Sequence, residues 1–225
     1  MEQFNNSWQY AFNNWKFFLA LAMPVIAIET LTGYLVAPLG EMTQPEDVIG
    51  FFETNSLVIS LVGIVGVIIQ ISFMGGMWVG FMSIDSGKDI NPINALQAGL
   101  SKFFPLFGAY FIVTIAAAFG FLLLILPGIY LLARFSLIVA QIMYEDNKVF
   151  ESIGASWEKT DEYGSKLFMF TLIFAGLIFT SSIILTSVIP SGILQLFILA
   201  VVEYIFVVPL GYIYFTLYKA TRIQK

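Results

Sequence analysis

The 225-residue chain contains no cysteine and no histidine, and only 11% of its residues are charged. Without cysteine it has no disulfide framework, no reactive thiol and no thiolate metal site. Without histidine it has no imidazole base and no haem or zinc ligand of that type. Most familiar catalytic and redox chemistry is thereby excluded, so no cofactor and no metal are expected and the chain is read as a non-enzyme. The shortage of charge is equally informative, because soluble domains carry about 25% charged residues. Here 59% of residues are hydrophobic and the mean hydropathy is +0.88. The solvent of such a chain is largely lipid. The net charge of −5 does not by itself oppose contact with anionic lipid, since orientation and surface binding depend on where Lys and Arg sit.

Apolar runs long enough to cross about 30 Å of hydrocarbon as helix occur at Phe17 to Leu39, Leu57 to Ser83, Phe103 to Leu126, Ile129 to Tyr144, Leu167 to Val188 and Ile193 to Tyr218. Leu126, Pro127 and Gly128 are expected to turn the chain between the third and fourth, and Ile189, Pro190 and Ser191 between the fifth and sixth. The segment from Gly40 to Ser56 holds Glu41, Glu46, Asp47 and Glu53 with no Lys or Arg, which marks it as external. Lys16, Lys88, Lys102, Lys148, Lys159, Lys166, Lys219, Arg222 and Lys225 all fall on the opposite side. Only Arg134 departs from that orientation. Residues Met1 to Trp15 lack the positive n-region of a signal peptide, so the first span is expected to be retained. The fold class predicted is an all-α integral membrane protein, a bundle of six transmembrane helices arranged as three hairpins, with both termini cytoplasmic.

A short phrase precedes each odd-numbered span: Trp15-Lys16-Phe17-Phe18, Ser101-Lys102-Phe103-Phe104 and Ser165-Lys166-Leu167-Phe168. Upstream of each lie apolar residues at helical spacing, namely Trp8, Phe12 and Trp15, then Ile93, Leu96 and Leu100, then Phe150, Ile153 and Trp157. These predict three short amphipathic helices along the cytoplasmic interface, the second capped by Asn91 and Pro92. The chain is a single membrane domain, 1–225, with three candidate parallel repeats at 1–83, 91–144 and 148–218. A plain alternative is that Lys and Phe mark membrane entry in any such protein. Trp8, Trp15, Phe150, Ile153 and Trp157 are the expected interface anchors, and Trp78 is assigned to the same class. Ser72, Gly76 and Gly80, and separately Ser60, Gly63 and Gly66, form small-residue faces suited to close helix approach within the bundle.

Counted along straight helices, Glu29, Gln70, Arg134 and Glu203 lie ~16 to 24 Å from the cytoplasmic ends and form one candidate polar layer. Ionisable groups at such depth pair or serve a function. Glu29 with Arg134 is the first expected pair and Glu203 with Arg134 the second. The layer is either a substrate or proton site, or an ion pair that fixes helix register.

The run Leu126-Pro-Gly-Ile-Tyr-Leu-Leu-Ala-Arg134, then Glu145-Asp-Asn-Lys148, then Ala155-Ser-Trp-Glu-Lys-Thr160 before Lys166-Leu-Phe168, resembles the YciC-type family of bacterial inner-membrane proteins. It is also similar to the membrane domain attached to some glycerophosphodiester phosphodiesterases. The resemblance spans the third to fifth helices and implies a six-span helical fold in the inner (cytoplasmic) membrane. It carries over no catalytic residue, and no soluble phosphodiesterase domain is expected within these 225 residues. The function expected is that of a non-enzymatic polytopic protein that binds or organises lipid, or a membrane protein partner, in envelope maintenance. The alternative is a small transporter of an amphiphilic or ionic substrate with its site at Arg134. Membrane lipids are the expected partners and nucleic acid is not one; the sequence leaves the oligomeric state open.

Overall fold

The computed structural model describes residues 2–223; Lys225, counted above with the basic residues, lies outside them. The described residues form ten α-helices and no strand: α1 (Glu2–Asn13), α2 (Trp15–Val36), α3 (Pro45–Asp85), α4 (Pro92–Ser101), α5 (Phe103–Leu123), α6 (Ile125–Arg134), α7 (Ile138–Tyr144), α8 (Val149–Lys159), α9 (Gly164–Val188) and α10 (Ile193–Ile223). Six stretches are long and apolar enough to cross a membrane, with α6 and α7 together making the fourth. The chain is an all-α, multi-pass membrane protein.

The short helices precede the long ones as their apolar spacing predicts. α1, α4 and α8 lead into α2, α5 and α9 through joints at Asn14 (φ −114, ψ 20), Lys102 (φ −107, ψ 21) and Tyr163 (φ −107, ψ 1). All three joints adopt nearly the same non-helical backbone conformation, in the bridge region where a helix can bend without unwinding further. α4 is capped as expected: the Asn91 side chain accepts from the Ile93 amide at 2.8 Å and Pro92 occupies the first turn.

Three boundaries differ from expectation. α3 begins at Pro45 and runs 41 residues, so the acidic segment from Gly40 to Ser56 is partly helical. A proline at the first helical position and Glu46 and Asp47 in the first turn favour that start. The turn between the third and fourth spans falls on extended Leu124 (φ −164, ψ 158), not on Leu126 to Gly128. Pro127 is tolerated as the third residue of α6 because first-turn amides have no helical acceptor to lose. The hairpin closes through glycine, since a Cβ on Gly120 would meet the Gly128 Cα at 2.8 Å. The fourth span is broken, with α6 and α7 separated by Phe135, Ser136 and Leu137.

The core lies where the short helices wrap the long ones. The Ser72 to Gly76 face of α3 is covered by α4, and a Cβ on Gly99 would lie 2.0 Å from the Ser72 carbonyl oxygen, so only glycine permits this approach. Trp78, assigned to the interface, is instead 2% exposed and packs edge-on against Phe81, Phe215 and Tyr218. Its indole fills the space between α3 and α10. Trp8 likewise turns inward, stacking on Phe174 at 5.9 Å and meeting Phe206 edge-on. Trp15 and Phe150 face outward, Trp157 is 39% exposed and Ile153 is half-buried.

Candidate functional site

Arg134 ends α6 at the break, and its surroundings are built by α8. Along α8, Ser152, Ser156 and Thr160 recur every fourth residue and are all buried, turned away from the outward Phe150 and Trp157. Interrupting a helix strands carbonyls and amides, and Ser156 and Thr160 of this stripe meet them. Ser156 Oγ accepts from the Leu137 amide (3.1 Å) and donates to the Arg134 carbonyl (2.9 Å), bridging the gap in one contact. The Arg134 guanidinium donates from Nε to Thr160 Oγ1 (3.0 Å), from Nη1 to Tyr130 Oη (2.9 Å), and from Nη2 to the Trp157 carbonyl (2.6 Å) and Asp161 Oδ1 (3.0 Å). It also lies over the Trp157 ring, 4.1 Å from the centroid. The residue is 3% exposed. Every guanidinium nitrogen is engaged by a protein group, so the charge is enclosed rather than presented to a ligand.

This corrects the expected polar layer. Neither Glu29 nor Glu203 pairs with Arg134; its carboxylate partner is Asp161, whose side chain is 74% exposed. The depth estimate assumed a straight fourth span, whereas the chain breaks after Arg134 and α8 folds back to it. Arg134 therefore stands beside Gly164, whose added Cβ would lie 3.2 Å from Arg134 Cδ, at the start of α9 and two residues from exposed Lys166. The same end carries Lys219 paired with Asp85, Lys102 paired with Asp146, and Arg222 near Glu145 at 3.8 Å. The single basic residue that departed from the sequence pattern thus joins the others.

Of the rest of the layer, Glu29 and Gln70 are brought together through Tyr204, and Glu203 is not bonded to them. Tyr204 on α10 donates to Glu29 Oε1 on α2 at 2.7 Å, with Gln70 Oε1 on α3 at 3.2 Å. Glu203 adjoins Tyr204 on the outward side of α10. Two grooves flank the cluster. One, of about 340 Å³, runs between α2 and α3 along Glu29, Thr32, Gly63, Gly66 and Gln70. The other, of about 390 Å³, opens sideways between α1, α2 and α10 and is lined by Phe12, Trp15, Phe18, Ala22, Val201 and Val208 among others, with Tyr204 its only hydroxyl. Among the described residues no group of three or more Asp or Glu side chains is arranged to hold a metal ion.

Sequence reasoning missed Tyr204, Tyr130, Thr160 and Asp161. Tyr204 looks like ordinary apolar span, but the Ser152, Ser156, Thr160 stripe was visible as a small polar face opposite an aromatic one. No family model, no curated protein and no solved structure matches this chain.

Proposed function

We propose that the protein is a non-enzymatic lipid-binding protein of a bacterial inner membrane, of the YciC type, with both termini in the cytoplasm, and that the sideways groove between α1, α2 and α10 holds one acyl chain of a phospholipid. The groove carries this reading. Its volume of about 390 Å³ lies within the ~300–1,000 Å³ of small-molecule sites, which are mostly apolar with few polar groups. Its mouth, at Phe12, Leu19 and Ile205, faces laterally where acyl chains are the solvent. Lys16, exposed beside Trp15 at the basic end, supplies a cation at the level of a headgroup phosphate. The orientation rests on the gathering of basic residues at one end.

Transport through Arg134 loses its support because each guanidinium nitrogen is already held by a protein group. A second reading, passage of a cation or proton, draws on Glu29, whose carboxylate accepts from Tyr204 rather than from a base, and on the exposed Glu203 beside that tyrosine. One experiment separates the two. Leu19→Trp and Ile205→Trp, at exposed positions on the groove mouth, should each lower by about one the phospholipids retained per protein in native mass spectrometry after mild delipidation. Ile183→Trp, on an exposed surface of α9, which does not line the groove, should retain the full number. Equal retention in all three would remove the lipid reading and leave the carboxylates as the better lead.

A further inference from the structure

Two of the six stretches that qualify by length and apolarity are joined at a tip unlike the other turns. From Phe121 to Leu126 the chain reads Phe-Leu-Leu-Leu-Ile-Leu, and no polar side chain occurs between Thr114 and Tyr130. Leu122, Leu123, Leu124 and Ile125 are 69 to 80% exposed. The α2–α3 connection, by contrast, is acidic, and the α9–α10 turn carries Pro190, Ser191 and Gly192. The register of α6 against α9 adds a length. α6 ends at the level where α9 begins, because Arg134 touches Gly164 and is paired with Asp161. The exposed charges at Glu158, Asp161, Glu162 and Lys166 mark that level as the polar boundary. From there α9 runs 25 residues, about 37 Å of rise, whereas α6 runs 10 residues, about 15 Å. Any tilt of α6 shortens its reach.

We infer that the α5–α6 hairpin does not cross the membrane but enters from the basic side and ends within the hydrocarbon, with acyl chains of that leaflet as the partner of its tip. About 15 Å is half of a ~30 Å core. α5, which at 21 residues is about 31 Å long, shares the tip, so a tip at this depth requires it to run obliquely. A hairpin ending in lipid needs few orphaned amides. The Leu124 amide donates to the Gly120 carbonyl at 3.1 Å and Pro127 has no amide to satisfy, which leaves the first-turn amides of Ile125 and Leu126 as the ones such a tip does not pair within the helix. An even number of crossings remains, formed by α2, α3, α9 and α10, so both termini stay on the basic side and no Lys or Arg changes sides.

Because the chain has no cysteine, single cysteines report position without background. In the full-length protein reconstituted in phospholipid vesicles, a nitroxide on Leu124→Cys should collide with oxygen and be shielded from a water-soluble nickel chelate, giving a depth near the bilayer centre. Nitroxides on Thr43→Cys and Ser191→Cys should be open to the chelate. Ile125→Cys repeats the measurement should Leu124→Cys fold poorly. Chelate access at Leu124 or Ile125 equal to that at Ser191 would overturn the inference and restore two further crossings.

Discussion

The two ends of the long helices are equally apolar and differ sharply in packing. In α3 no residue from Pro45 to Gln70 is buried, whereas nine from Ile71 to Phe81 are. In α9 every buried residue lies between Gly164 and Phe174, and none follows. α10 repeats the pattern in its own direction, exposed or half-buried from Ile193 to Leu199 and packed from Ala200 onward. The basic end thus holds the core and the acidic end is solvated by lipid. The difference teaches that hydrophobicity does not decide burial in a membrane chain, because lipid tails are as apolar as leucine. Burial follows the short helices, which bring glycine and hydroxyl faces against the long ones.

The strongest way to break this contrast is to place the same side chain at a glycine of each end. Gly99→Leu puts a branched chain where even a Cβ would lie 2.0 Å from the Ser72 backbone oxygen, and α4 cannot stay docked. A loss of about 3 kcal/mol or more is expected, at the upper end of overpacking costs. Gly63→Leu, with nothing within 4 Å of its Cβ position, should change stability by no more than ~1 kcal/mol in the favourable direction, from better helix propensity. Thermal unfolding of both variants in one detergent checks this. Equal destabilisation would mean that the acidic end is packed as tightly as the basic one.

A smaller effect is expected at Arg134, and its cause differs from that of a buried ion pair. Asp161 is largely solvated, so Arg134→Met does not strand a carboxylate in hydrocarbon. What is lost is the set of hydrogen bonds to Thr160, Tyr130 and the Trp157 carbonyl, worth about 2 to 4 kcal/mol by analogy with bonds to charged groups and buried acceptors left unpaired. Arg134→Lys should recover little, because an ammonium cannot span the fork of directions that a guanidinium covers. Arg134→Met combined with Glu29→Gln should be additive within ~0.5 kcal/mol, as expected for sites without shared partners. Strong coupling between them would contradict the separation of the two polar clusters.

What was legible in the sequence were the features that depend on local order. The apolar runs and the capping of α4 by Asn91 follow from composition and adjacency. Depth was not legible at Arg134, because counting residues presumes an unbroken helix, and the break at Phe135 to Leu137 is held open by Ser156 and Thr160 from about 20 residues downstream. Trp78 was misassigned for a related reason. A tryptophan near a span end satisfies the interface pattern, and only the arrival of Phe215 and Tyr218 from α10 makes its position interior. Glu29 and Gln70, which Tyr204 joins, stand out in the sequence because polar residues in apolar runs do so without any knowledge of packing.

The smallest expected effect lies at the solvated rim of the packed end, where Lys102 at the α4–α5 joint meets Asp146 after α7. The hydrogen bond and the charge of Lys102 hold the Asp146 carboxyl below its usual range. A carboxylate with a depressed folded-state pKa contributes stability that is present above its unfolded pKa, ~3.9, and is lost as pH falls through the folded value. The side chain is 85% exposed, so screening leaves the contribution small. Asp146 also sits at φ 55, a left-handed conformation that Asn tolerates as well as Asp. Asp146→Asn therefore removes the charge without straining the turn. Its Tm should fall slightly below that of the parent at pH 7, and the gap should begin to narrow below about pH 4 and be lost as pH falls through the lower folded-state value. High salt at pH 7 should narrow the same gap, since the pair is screened by ions. A difference that persisted unchanged at pH 3 would assign the effect to the turn geometry, and the ion pair at this joint would then contribute nothing to holding α4 and α5 against α7.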